Sequence, residues 1–124
     1  MVHLLRWANL ERLSDAGYLH DVLEDSPVLY AELLEAFPNA APIVEKCSGY
    51  GRNRKEKQAC IRAKLVGDAD AQTVKAADRT ANVENCLDTG NEKLLAMYLK
   101  EMDEFLNSVP LAPGGLRLRL LLSV

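Results

Sequence analysis

The chain reads LHDVLED at residues 19–25 and VKAADRTAN at residues 74–82. Residues four apart share one face of an α-helix, so the first stretch brings four polar side chains to one side: His20, Asp21, Glu24 and Asp25. In the second stretch the spacing i, i+3, i+4 and i+7 gives another polar stripe: Lys75, Asp78, Arg79 and Asn82. The sequence therefore predicts a cleft between two helices, in which an imidazole, carboxylates and cations face one another.

Helical spacing of apolar residues also recurs outside these two stretches. It predicts an N-terminal amphipathic helix ending near Leu13 and a second helix from Asp15 to the residues before Pro27, which carries the His-Asp pair. Further helices are predicted at about residues 28–37, 40–47, 53–66, 69–86 and 91–107, the fourth of these capped by Asp68 or Asp70. The predicted fold class is therefore all-α.

The chain changes character after Asn107. Prolines and a Gly-Gly pair break the helical pattern, and residues 116–120 alternate leucine and arginine with a period of two. This alternation is typical of a strand, so the sequence predicts an edge strand or an extended, irregular C-terminal tail.

The composition indicates one small domain. The chain has 124 residues, of which 48% are hydrophobic, and its net charge of −3 gives no basic surface for nucleic acid. Cys47, Cys60 and Cys86 lack the spacing of a disulfide framework or a zinc site, which favours reduced thiols in a cytoplasmic protein. No apolar run approaches the roughly 20 residues that span a bilayer, so no membrane contact is expected.

Each stretch alone has an ordinary explanation as a solvated helix surface. Together, in this order and with these internal spacings, the two stretches resemble the HD-domain metal-dependent phosphohydrolases. The similarity is closest to the branch that hydrolyses guanosine polyphosphates, the ppGpp 3′-pyrophosphohydrolases, whose motifs usually read LHDVxED and VKxADRxxN. The resemblance implies a compact bundle of helices over residues 1–107, followed by a tail at residues 108–124.

The resemblance also implies a reaction and a set of site residues. The reaction of that branch is the removal of pyrophosphate from the 3′ position of ppGpp or pppGpp, with Mn²⁺ as cofactor. By position, the metal ligands are His20, Asp21 and Asp78. The residues that serve the attacking water are Glu24 and Asp25, and Asn82 contacts the nucleotide.

The residue types suit this chemistry in their own right. A mixture of one imidazole nitrogen with hard carboxylate oxygens favours Mn²⁺ among the divalent ions. Such an ion lowers the pKa of a bound water and can hold a phosphate oxygen. Lys75, Arg79 and Asn82 can contact the phosphate or the nucleoside. The expected partner is therefore a guanosine polyphosphate or a related nucleotide.

One part of the family pattern is missing. The family has a further metal-binding histidine on an earlier helix, farther upstream than the spacing of His3 from His20 allows. We expect the chain to be a shortened form whose first helix and missing ligand lie before Met1; substitution by His3 and loss of hydrolysis are the alternatives. Metal binding should then be weaker, and the uncovered apolar surface favours a homo-oligomer.

Other functions remain open at this stage. A catalytically silent HD-fold module would bind a nucleotide or a protein without turnover. Another HD enzyme, such as a 5′-nucleotidase for deoxyribonucleotides, would be separated by a panel of substrates.

Overall fold

The computed structural model describes residues 1–123, and every regular element within that range is helical. The predicted all-α class is thus confirmed. The elements are α1 (Val2–Trp7), a 3₁₀ turn (Glu11–Leu13), α2 (Ser14–Leu19), α3 (Val22–Asp25), α4 (Tyr30–Ala36), α5 (Ala41–Cys47), α6 (Arg54–Leu65), α7 (Ala69–Thr89), α8 (Glu92–Lys100), α9 (Met102–Ser108) and α10 (Gly114–Leu122).

Helix α7 is the longest element and lies at the centre of the fold. Its sequence is rich in alanine, and small side chains let neighbouring helices approach its backbone closely. The two buried threonines of α7 are satisfied within the helix: the Thr73 and Thr80 hydroxyls donate to carbonyl oxygens one turn earlier, at 2.7 and 2.8 Å. Helices α1, α2, α5, α6, α8 and α10 pack around it. The core thus forms on several sides of the helix that carries Asp78.

Helices α6 and α7 each begin with a side-chain cap, of which the sequence predicted the one on α7. The Asn53 and Asp68 side chains accept hydrogen bonds from the backbone of the third residue of α6 and α7, both at 2.9 Å. Helix α7 ends at Gly90, whose φ of 71° lies in the left-handed region that glycine adopts without strain. The predicted cap at Asp68 is confirmed, and α7 extends three residues beyond the predicted end at Cys86.

The prediction of one continuous helix through the whole His-Asp block is wrong, because the helix is interrupted there. Helix α2 ends at Leu19 and α3 begins at Val22, so His20 and Asp21 form a turn between them. The two residues keep φ near the helical range, at −56° and −102°, but Asp21 has a ψ of 0°. Consequently the adjacent side chains of His20 and Asp21 can meet, which neighbours within a regular helix do not.

The predicted strand or extended tail is also wrong. Residues 114–122 form α10, which packs against α7 through Leu116 and Leu120, both almost fully buried. These leucines are four residues apart, and so they share one face of a helix. The backbone amide of Leu111 donates to the buried side-chain oxygen of Gln72 at 2.7 Å, which ties the segment before α10 to α7. The alternation of leucine and arginine wrongly predicted a strand because it does not match the pattern of burial. Leu118 and Leu121 are exposed and lie outside the buried stripe.

The predicted last long helix is divided in two. Helix α8 ends at Lys100 and α9 begins at Met102, with Glu101 at the junction. This break turns the Glu101 carboxylate toward α6 and α7, where it pairs with arginines from both helices. Within residues 1–123, no helix is long and apolar enough to cross a membrane.

Candidate metal centre

His20 lies at the turn between α2 and α3, and both of its ring nitrogens have partners. Nδ1 donates to the carbonyl oxygen of Gly17 at 2.8 Å. Nε2 lies 2.9 Å from a carboxylate oxygen of Asp21 and 3.3 Å from one of Asp78. A backbone acceptor at Nδ1 fixes the orientation of the ring, as it commonly does for metal-binding histidines, and directs Nε2 toward the carboxylates.

Asp78 extends from the centre of α7 and is the most enclosed carboxylate of this group. Its second oxygen lies 3.5 Å from the ammonium of Lys75, one turn earlier on α7. The side-chain amide of Asn82 donates to its first oxygen at 3.3 Å. The structure therefore brings together five of the eight predicted site residues through direct contacts, from the two stretches that the sequence singled out.

The charges of this cluster are strongly coupled. Burial of the His20 ring lowers its pKa, but the hydrogen bonds to Asp21 and Asp78 outweigh burial and raise the pKa to about 10. For Asp78, burial raises the pKa, whereas His20 and Lys75 have the larger combined effect and hold it below the usual range. Without a bound metal, both shifts favour an imidazolium between the Asp21 and Asp78 side chains.

The donor set fits a divalent cation in part. Two ligands about 2.1 Å from one ion, at an angle of about 90–105°, lie about 3.0–3.3 Å apart. The separations of Nε2 from the two carboxylates fall close to that range. However, no group of three or more histidine, cysteine, aspartate or glutamate side chains in residues 1–123 stands in a ready metal-binding arrangement. The side chains of His20, Asp21 and Asp78 are thus adjacent, but His20 contacts the two carboxylates directly.

The two predicted water-activating residues differ in position. Glu24 lines a cavity of about 140 Å³ together with Asp21 and Asp78, and its carboxylate accepts a hydrogen bond from the buried Gly49 amide at 3.3 Å. Asp25 is exposed and is not among the residues that line this cavity. Of the pair, only Glu24 therefore faces the same space as the metal-binding candidates.

The segment Ser48–Gly51 packs more tightly than a flexible turn would. A methyl group added at Gly49 would come within 2.7 Å of the Lys57 carbonyl oxygen in α6. Glycine at this position therefore lets the turn approach the first half of α6. Because Gly49 also donates to Glu24, the turn fixes α3 relative to α6 across the cavity.

Several cationic side chains line the same cavity. The three residues predicted to contact the phosphate or the nucleoside are among its lining residues: Lys75, Arg79 and Asn82. Arg54 and Lys57 from α6 line it too. Neither residue was predicted from the sequence, because the pattern of α6 is that of an ordinary charged surface helix. The only available signal was the 3-residue spacing of two cations on one helical face.

Arg79 separates the small cavity from a larger one of about 370 Å³ and lines both. Its guanidinium lies 4.8 Å from the ring centre of Tyr98 and 4.3 Å from that of Phe105. Burial lowers the pKa of Arg79, and the nearby Glu101 carboxylate opposes that effect. Nη1 is 3.3 Å from Glu101, yet it makes no hydrogen bond within the described residues.

Comparisons of this chain with known protein families, with curated proteins and with solved structures gave no match. The chemistry of the site therefore rests on its own residues and on their geometry.

Proposed function

We propose that this chain is a metal-dependent phosphohydrolase of the HD-domain type, acting on a phosphorylated nucleotide. The proposed reaction is the removal of pyrophosphate from the 3′ position of ppGpp or pppGpp. The observation that supports the proposal most is the contact of His20 Nε2 with both Asp21 and Asp78. Two sequence stretches from different parts of the chain meet there through the three side chains that the motif would require.

The proposed metal ligands are His20, Asp21 and Asp78, with Mn²⁺ as the expected ion. When bound, a divalent ion supplies a water of lowered pKa and neutralises charge on a phosphate oxygen. Three protein ligands leave coordination positions for water and substrate, as catalytic sites require. His20 must lose its Nε2 proton to act as a ligand, so the proton and the metal compete for this nitrogen.

Glu24 is the proposed general base. Its carboxylate lines the small cavity and is held by the Gly49 amide, within the space that Asp21 and Asp78 share. In the proposed step, Glu24 accepts a proton as the water oxygen forms its bond to phosphorus. The bond between phosphorus and the 3′ oxygen breaks, and the nucleotide leaves with its electron pair. Asp25 does not line this cavity, so we propose for it only the weaker role of orienting solvent beside Glu24.

The cations of the cavity would hold the phosphate groups. Lys75 and Arg79 come from α7, and Arg54 and Lys57 come from α6 on the opposite wall. Positive charge fixed on two walls stabilises the charge that develops on the transferred phosphoryl group. Asn82, which donates to Asp78, can turn its amide toward the nucleoside.

The direct test is the release of pyrophosphate from ppGpp, with Mn²⁺ and with chelator. We expect release that depends on Mn²⁺ and falls by about 100-fold or more in Asp78→Ala, since changes even in the shell outside metal ligands cost 10–100-fold. The matched control is Asp88→Ala, an exposed aspartate on the same helix, which should retain activity. Metal-independent release, or release unaffected by Asp78→Ala, would contradict the proposal.

A silent nucleotide-binding module is the second candidate. It is favoured by the imidazolium that His20 forms between the two carboxylates, because this ion pair satisfies the cluster without metal. Its expected signature is ppGpp binding without turnover, with an affinity that does not change in Glu24→Gln.

A further inference from the structure

The larger cavity adjoins the proposed catalytic cavity and shares a wall with it. Arg54, Lys75 and Arg79 line both, so a ligand could extend from one to the other past these side chains. Its volume of about 370 Å³ lies within the range of small-molecule sites. Ile61, Leu65 and Phe105 give it an apolar floor.

The charge of this cavity is opposite to that of the whole chain. Five cationic and two acidic side chains line it, a formal charge of +3 (five minus two), whereas the chain as a whole carries −3. Concentrating cations in a concave, partly apolar space raises the local concentration of anions.

Arg79 shows that the positive charge is built into the fold. Its side chain is more than nine-tenths buried, its guanidinium lies against the Tyr98 and Phe105 rings, and Nη1 has no hydrogen bond within the described residues. A buried donor without an acceptor costs free energy, which a ligand oxygen would recover. Arg79 is one of the residues that line the cavity, where such a ligand would lie.

Glu101 occupies the position that an anionic ligand would take. Its two oxygens accept from Arg54 Nε and Nη2 at 2.9 and 2.8 Å, and one of them lies 3.3 Å from Arg79 Nη1. One carboxylate thus carries a single negative charge between two guanidiniums. A phosphate group has about −1.5 to −2 charges and three oxygens, so it matches this pair of guanidiniums better.

We infer that the larger cavity is a second phosphate-binding subsite, in which Arg54 and Arg79 bind a phosphate or pyrophosphate group after the Glu101 carboxylate is displaced. The inference rests on the proposed function for the nature of the ligand, a nucleotide with phosphate groups at two positions. Glu101 lies at the junction of α8 and α9 and is partly exposed, so its side chain has room to rotate outward.

The inference is tested by calorimetric titration of the full chain with inorganic pyrophosphate in the presence of EDTA. Glu101→Gln removes the competing charge and should bind pyrophosphate about fivefold more tightly than the natural chain. A fivefold change corresponds to the upper end of the free energies measured for exposed ion pairs. The matched control is Glu84→Gln. Glu84 is equally exposed, at 27%, and pairs with Arg119 away from the cavity, so the change in net charge is identical.

Arg54 offers the converse test without risk to the core, because it is partly exposed. Arg54→Gln should weaken pyrophosphate binding by about tenfold, whereas Arg52→Gln, an exposed arginine outside both cavities, should not. Equal affinity in Glu101→Gln and Glu84→Gln, or no loss in Arg54→Gln, would overturn the subsite. Because EDTA removes the metal and Glu101 lines only the larger cavity, the comparison of Glu101→Gln with Glu84→Gln succeeds or fails independently of metal-dependent hydrolysis.

Discussion

At the level of single residues, His20 links the stability of the protein to its proposed activity. The ring is held by Gly17 on one side and by two carboxylates on the other. In the metal-free protein this arrangement stabilises the protonated ring. A metal ion would need the same nitrogen without its proton, so the two states exclude each other.

His20 should therefore titrate far above the ordinary histidine range. We expect a pKa of about 10 in EDTA, measured by following the ring resonances with NMR, and a lower value in Asp78→Asn, which lacks one of the two carboxylates. A pKa near the ordinary 6.5 in the natural chain would show that the cluster does not form in solution.

The sign of the effect on stability follows from the direction of this shift. Because the pKa is raised in the folded state, the ion pairs contribute fully below about pH 6.5, the ordinary value. Their contribution is lost as the pH rises toward 10. Affinity for Mn²⁺ should increase over the same interval, because fewer His20 rings retain the competing proton.

At the level of elements, the pattern of buried leucines in residues 116–120 distinguishes a helix from a strand. In a strand, Leu116, Leu118 and Leu120 would share one face. In α10 the first and last of these are buried against α7, and Leu118 is 55% exposed.

Three alanine substitutions separate these arrangements. Leu116→Ala and Leu120→Ala should each lower the free energy of unfolding by about 3 kcal/mol, because each removes a fully buried side chain. Leu118→Ala should lower it by less than about 0.5 kcal/mol. Urea denaturation of the three variants provides the measurement, and similar losses in all three would contradict the helix.

The sequence predicted most of the helices because their apolar residues recur with helical spacing and, at the start of α7, because Asp68 is a suitable cap. It did not predict α10, because Leu and Arg alternate there by residue type while burial follows a different set of positions. It also did not predict the break at His20. That break depends on contacts with Gly17 and Asp78, which come from packing and not from local preference.

At the level of the whole molecule, the fold concentrates positive charge in one cleft, although the net charge of the chain is negative. Helices α6 and α7 bring cations from two segments to one cleft, and the turn before α3 and α3 itself bring the Asp21 and Glu24 carboxylates to it. The sequence predicted the α3 and α7 contributions, because each occupies a short stretch with recognisable spacing. It missed Arg54, Lys57 and Glu101, whose roles arise only when α6, α7 and the α8–α9 junction meet.

The central claim is that His20, Asp21 and Asp78 form a metal site, and the most direct measurement is calorimetric titration of the chain with Mn²⁺ above neutral pH. We predict saturable binding that disappears in Asp78→Asn and persists in Asp88→Asn. At a Mn²⁺ concentration of about 100 times the dissociation constant, the free energy of unfolding should also rise by about 2.7 kcal/mol. Absence of binding in the natural chain, or unchanged binding in Asp78→Asn, would contradict the claim.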